Sequence, residues 1–364
     1  MGLGLGYYKN KDKSTWKVNQ NNFDLIRLFA ALQVAITHGF GYLKIDNAFL
    51  ALFIRALELF PGVPIFFVIS GFLISSSIER SGSLSVYFKN RFLRIYPALW
   101  VSIVLSLIGL YIFYPMEKLG LKELIVWICA RGTFFQFYHN HYFDGFGMGN
   151  PNGALWTISL ELQFYILLPM IYFALLKMSH KNIFLMTLFA VFCTLNIYFT
   201  LNQDSAELLF KLLRVSVLPY LYMFIIGIAI QRNINLLNKI IAQKATIWLF
   251  AYIVVAFFVS QIGYAGGGTL VNPVQAVMLA MLITAFAYTK TDLSDRLLHN
   301  NDISYGIYLY HLIVINVFIE VGLIGNTFYL VCMILTSAVI AFISWRMIEK
   351  PALALKKYTL HARS

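Results

Sequence analysis

The sequence predicts an all-α, polytopic membrane bundle of about ten transmembrane helices, with both termini in the cytoplasm. Three observations lead there. Hydrophobic residues make up 60% of the 364-residue chain and charged ones only 12%, against roughly 25% charged in a soluble domain; mean hydropathy is +0.73. Apolar runs of about 20 residues, the length that crosses a bilayer, recur along the whole chain. The basic residues also fall unevenly between successive connections. A length that would make two soluble domains in water here makes one bundle, with no room for a large extra domain.

The first 22 residues are polar and contain lysines, and no small-residue cleavage site follows the first apolar run. That run, 23–43, therefore reads as a retained helix and not a signal peptide. Further spanning runs follow at 61–79, 95–115, 154–176, 182–201, 213–231, 245–262, 271–289, 303–324 and 326–346. The segment 121–137 is different. It is amphipathic, carries Lys122, Glu123 and Arg131, and reads as interfacial, re-entrant or spanning. The chain thus divides into a cytoplasmic segment 1–22, a membrane domain 23–347 and a cytoplasmic tail 348–364.

Basic residues choose between the topologies. With an inner N-terminus and no crossing by 121–137, twenty Lys and Arg lie on inner segments and seven on outer ones, and Arg27 within the first helix completes the 28. Cytoplasmic loops of membrane proteins carry that excess. A crossing by 121–137 would swap every later loop and largely erase the bias. The same rule explains the net charge of +12; no nucleic-acid motif or basic stripe accompanies it, so no nucleic-acid partner is expected. Cys129, Cys193 and Cys332 lie in apolar stretches without metal or disulfide spacing and read as small core residues. The longest outer connection, 116–153, ends in YHNHYFDGFGMGNPNG and reads as an ordered lid or substrate-facing loop, or as plain surface. Neither an internal repeat nor the inverted-repeat pattern of many transporters is visible.

Ionisable residues inside spanning helices are costly and mark function. Arg27 and His38 stand eleven residues apart, about three turns plus 20°, so they share one helix face at a rise of about 16 Å. Singly, they read as a snorkelling arginine and a satisfied core histidine; the shared face favours a joint role. Ser70 and Gly71 in FFVISGFLIS read first as helix packing. Arg91 and Arg94, three apart at the start of a helix, suit phosphate groups or simply mark the cytoplasmic side. Glu161 lies about a third of the way into its helix, flanked by Trp156 and Tyr165. Trp156 also fits an interfacial aromatic belt. A His38–Glu161 pair at similar depth would orient the imidazole as a general base. His311 reads as lying roughly in the inner half of the bilayer, and Ser304 and Tyr308, four apart, share a face near it, as a packing network or a binding surface. His139 with His141 lacks a third metal ligand, so no metal site is expected. Gly266–Gly268 lacks the lysine of a phosphate loop.

Taken in order, FDLIRLFAALQVAITH (23–38) with its Arg–x10–His, FFVISGFLIS (66–75), RFLRIYPALW (91–100), LWTISLELQFYILLP (155–169), SYGIYLYHLIVI (304–315) and the closing SWRMIEKPAL (344–353) resemble the acyltransferase-3 family of membrane O-acyltransferases over nearly the whole chain. The resemblance implies ten helices in a bacterial inner membrane and transfer of an acyl group, often acetyl, from cytoplasmic acyl-coenzyme A to sugars of surface glycans. Acetyl-coenzyme A is then a co-substrate, and no permanently bound cofactor is implied. His38 becomes the essential histidine, as general base or as carrier of the acyl group itself, with Arg27 its companion and with Arg91 and Arg94 near the donor phosphates. Glu161, Trp156, Tyr165, Ser304, Tyr308 and His311 join the site set. Expected partners are acyl-coenzyme A, a glycan or polysaccharide acceptor, membrane lipid and polysaccharide-assembly proteins. Some relatives carry an extra helix and an extracytoplasmic hydrolase-like domain. Neither follows in this sequence, so completion of transfer is expected within the bundle or on a separate protein. A transporter or flippase for a glycan or lipid intermediate is the alternative, since Arg27, His38, Glu161 and His311 would also line a polar path. A non-catalytic scaffold is a third reading, in which His38 is dispensable.

Overall fold

The structure is a computed structural model that describes residues 20–81, 83–115, 120–138, 141–202, 207–261 and 269–356. His139, Gly266–Gly268 and most of the two terminal segments lie outside the described residues. Among the described residues every regular element is helical and none is a strand.

Each expected apolar run contains a helix. In chain order the first are α1 (Phe23–Tyr42), α2 (Ala48–Glu58), α3 (Gly62–Arg80), α4 (Leu84–Phe113) and α5 (Leu121–Arg131). Then come α6 (Trp156–Lys177), α7 (Lys181–Leu201), α8 (Leu208–Arg214), α9 (Leu221–Arg232), α10 (Ile234–Ile241) and α11 (Ala245–Gln261). The chain continues through α12 (Pro273–Ala287), α13 (Leu293–Leu298), α14 (Ser304–Glu320) and α15 (Thr327–Ser344), then a π-turn at Trp345–Glu349 and α16 (Lys350–Ala354). By length and apolar character six helical segments suffice to cross a membrane, or seven if α10 and α11, bent by 88°, count as one span. The apolar helices α9, α12 and α14 have 12, 15 and 17 residues, somewhat under the ~20 of a full span.

Two local outcomes differ from the sequence reading, and a third bears on the segment 121–137 that it left open. α2 occupies what was read as an outer connection. Its eleven residues fall below spanning length, and Phe49, Leu52 and Phe53 are exposed, as on a helix lying in the membrane interface. α4 starts at Leu84, so Arg91 and Arg94 sit in its second and third turns and not at its start. α5 stops at Arg131 after 11 residues, about 16 Å of helix against about 30 Å of hydrocarbon; it is too short to cross.

The chain forms two compact units. The first comprises residues 1–27, 63–89 and 163–300, the second 28–62, 90–162 and 301–364. In the first unit α3 crosses α9 with backbones nearly touching. A Cβ added at Gly71 would lie 2.2 Å from the Phe224 carbonyl oxygen, and one at Gly227 would lie 2.3 Å from that of Val68. Small residues allow that approach; beside it Phe164 stacks on Phe224 and Phe67 lies tilted against the same ring. Asn22 ties the start of α1 to the end of α12, donating to Thr289 O at 2.8 Å and Lys290 O at 3.0 Å. Glu79, half-buried, gathers Tyr172, Gln231 and Arg232 at 3.0–3.1 Å.

The second unit is organised around α14, whose residues are buried almost from end to end, the polar Ser304, His311 and Asn316 included. It packs along α15. A helix that is apolar all round and threaded with a few polar groups belongs in the middle of a bundle.

A histidine pair in the second unit

α1 delivers His38 one turn before its end. Gly39 follows, and a Cβ there would collide with Met333 Cε and Leu330 Cδ1 of α15, at 2.2 and 2.6 Å. The missing side chain lets this part of α1 lie close to α15 and, beside it, α14. His38 Nδ1 then meets Nε2 of the fully buried His311 at 3.0 Å. The rings stack with centroids 5.2 Å apart and 22° between planes. Tyr42 stands edge-on to His38 at 5.8 Å, and the Tyr308 ring is 5.9 Å from His311. On its far side His311 Nδ1 reaches the Ile307 carbonyl, one turn back on α14, at 3.2 Å.

The sequence reading pairs His38 with Glu161. In the structure the bond on Nδ1 comes from His311, and Glu161 makes no hydrogen bond or ion pair with His38. Glu161 instead acts at Coulombic range on Tyr308. Tyr308 donates to Ala154 O at 3.2 Å and shares a 2.6 Å bond with Thr157. Trp156 opens the same helix, half-buried. Depth along two helices cannot say which of two polar residues on a third will face a given ring; that depends on helix rotation.

At the start of α14 a second cluster forms. Asp302 binds Arg94 Nη2 at 2.5 Å, accepts from Ser304 Oγ at 2.5 Å and from Ser304 N at 3.2 Å. Its charge also suits the positive end of the helix. Arg94 lies 6.0 Å from the Tyr305 ring, whose hydroxyl donates to Ile95 O at 3.1 Å. Arg94 therefore has a carboxylate partner that sequence reasoning missed. An Asp two residues before a helix-opening Ser is a start signal that could have pointed to it. Arg91 is half-buried in the same unit. Arg27 and Tyr165 fall in the first unit. There Arg27 is 3.7 Å from Asp24, and the Tyr165 carbonyl accepts from Tyr87 at 3.1 Å.

The segment after α5 is pinned to α14. Asn316 accepts from Met148 N at 2.9 Å and donates to Asn150 O and Pro151 O at 2.8 and 3.0 Å. Glu320 accepts from Gly147 N at 2.6 Å. The buried Arg131 donates to Gln136 O and to Asn150 Oδ1, and burial pulls its pKa down to about 10. His141 pairs with Asp144 at 3.1 Å on the surface. Among the described residues no three His, Cys, Asp or Glu side chains gather as metal ligands.

Fold and cluster together define a multi-pass helical membrane protein with a buried, acid–base-capable interior. The family model described as an acyltransferase domain, acyltransferase-3, matches residues 20–346, and the chain belongs to that family. It is similar to Nodulation protein 10 of Rhizobium leguminosarum bv. viciae, 30% identical over 352 residues that cover 93% of this chain and 94% of the relative. It is also similar to the peptidoglycan O-acetyltransferase OatA of Listeria monocytogenes, 28% identical over 328 residues, 80% of this chain and 51% of the relative. O-acetyltransferase OatA of Staphylococcus aureus is 28% identical over 319 residues, 80% of this chain and 52% of the relative. The chain spans about half the length of these two OatA proteins. No solved structure matches it.

Proposed function

We propose that this protein moves an acetyl group from cytoplasmic acetyl-coenzyme A to a hydroxyl of an extracytoplasmic glycan, in a bacterial inner membrane. The observation that carries the reading is the His38–His311 pair, a titratable ring at the heart of a family of acyltransferases. The names of the OatA relatives favour acetyl and a cell-surface acceptor. The excess of basic residues on alternate connections supports ten crossings with both termini inside.

His38 removes the proton from the acceptor hydroxyl, and the oxygen attacks the thioester carbon. The carbon–sulfur bond breaks, and the coenzyme A thiolate takes the proton from His38. Arg91, with Arg94 beside it on α4, meets the donor's phosphates. Tyr308, Thr157, Glu161 and Trp156 line the same unit and shape the acceptor side. Membrane lipid surrounds the bundle, and polysaccharide-assembly proteins would present the glycan.

The test is radiolabelled acetyl-coenzyme A supplied to inside-out membrane vesicles that carry the host's own glycans. Wild-type protein should label glycan. His38→Ala should abolish labelling at unchanged protein level in the membrane; full labelling by that variant would rule the mechanism out.

A further inference from the structure

We infer that His311 is a positioning residue that fixes the tautomer of His38, leaving His38 Nε2 as the reactive nitrogen. This rests on the reading of His38 as the base given above, and it adds the atom and its orienting partner.

The protons can be placed one after another. A carbonyl oxygen only accepts hydrogen bonds, so the 3.2 Å contact between His311 Nδ1 and Ile307 O puts a proton on Nδ1. His311 is fully buried, and its polar contacts are His38 and the backbone carbonyls of Ile307 and Tyr308, with no carboxylate among them. A second proton would make an uncompensated buried charge, which is strongly unfavourable. His311 is therefore neutral, and its Nε2 carries a lone pair. His38 Nδ1 lies 3.0 Å from that lone pair, so the proton between the rings belongs to His38. Neutral His38 then has its own lone pair on Nε2, the nitrogen directed away from His311.

Two consequences follow for the reaction. His311 does for His38 what a carboxylate does in a hydrolase triad: it selects the tautomer and holds the ring. But its far nitrogen already donates to a carbonyl, which cannot take up a proton. No relay runs beyond His311. The proton that His38 Nε2 takes from the acceptor hydroxyl must leave from the same Nε2, to the departing thiolate.

Solid-state 15N spectra of histidine-labelled full-length protein in lipid bilayers test the assignment on the wild type. The seven histidines are resolved by the signals lost in His38→Gln and His311→Gln. The expected result is N–H at Nδ1 and a bare Nε2 in both rings; a bare Nδ1 on His38 would overturn the inference. Release of coenzyme A thiol from acetyl-coenzyme A in membrane vesicles gives the second readout. In His311→Gln the amide oxygen still accepts from His38, so kcat should stay within about tenfold of wild type. His311→Leu removes the acceptor and should lower kcat about 100-fold or more, with the acetyl-coenzyme A KM little changed. Equal losses in both variants, at equal folded yield, would sink the positioning role. Undiminished transfer by His38→Ala would instead remove the proposed function, while the tautomer spectra stand or fall by themselves.

Discussion

Arg94 and Asp302 form an ion pair at 2.5 Å that joins the third turn of α4 to the start of α14, with Ser304 on the same carboxylate. Both side chains are largely sequestered, at 16% and 9% exposure. Removing one partner strands the other charge, which costs about 3–5 kcal/mol in buried pairs, whereas replacing both by apolar groups is far milder. Asp302→Leu and Arg94→Leu should each lower the unfolding temperature in detergent markedly. The double variant should recover much of the loss. Additive losses would mean that the pair contributes little.

The same pair sets the charge available to the donor. Arg91 and Arg94 are the donor-phosphate pair proposed above, so the acetyl-coenzyme A KM should rise in Arg91→Gln and in Arg94→Gln. A lost hydrogen bond to a charged group predicts about tenfold or more for the former. The milder Asp302→Asn keeps an acceptor for Ser304 and frees Arg94, so it should shift KM downward. An unchanged KM in all three variants would place the donor phosphates elsewhere.

Gly71 and Gly227 seat α3 against α9 with backbone atoms as the obstacles. Backbone cannot swing aside as a long side chain can. Gly71→Leu should therefore separate the helices, at a cost of at least about 1–3 kcal/mol, and lower the monodisperse yield in fluorescence-detected size exclusion. Ser70→Ala beside it should be tolerated. Equal yields for both would mean that the crossing is not tight.

Asn316 holds three backbone groups of residues 148–151. Asn316→Leu leaves buried N–H and C=O groups without partners, at about 1–3 kcal/mol each. Amide exchange in the segment 145–152 should accelerate while exchange in α15 does not. Unaltered exchange would show that the segment is held by other contacts, such as Arg131 and Asn150.

The helical bundle was legible because membrane spans are written in long apolar runs, and each expected run contains a helix. What escaped was shorter or depended on rotation. α2 and α5, at 11 residues each, carry no spanning signal. The start of α4 at Leu84 was masked by Lys89 and Asn90, polar residues that set the expected helix start at Arg91 although the helix runs through them. His38 could be singled out from its depth and its spacing to Arg27. Its partner in the structure could not, because Glu161 was read at the depth of His38 and His311 in the inner half of the bilayer, whereas the two rings meet at 3.0 Å. Only the tilt and roll of α14 bring His311 to bear. Asp302 went unremarked because a lone carboxylate beside a helix start is common; its meaning comes from Arg94, 208 residues earlier.

His38 and His311 are separated by 273 residues of chain. During synthesis the first helix leaves the ribosome long before α14 exists. Until then His38 has no ring to lean on, and nothing dictates which of its nitrogens is bare. Under the mechanism proposed above, the nascent chain is therefore silent until the penultimate long helix docks, and the histidine pair also acts as a check that the chain has been inserted as far as α14.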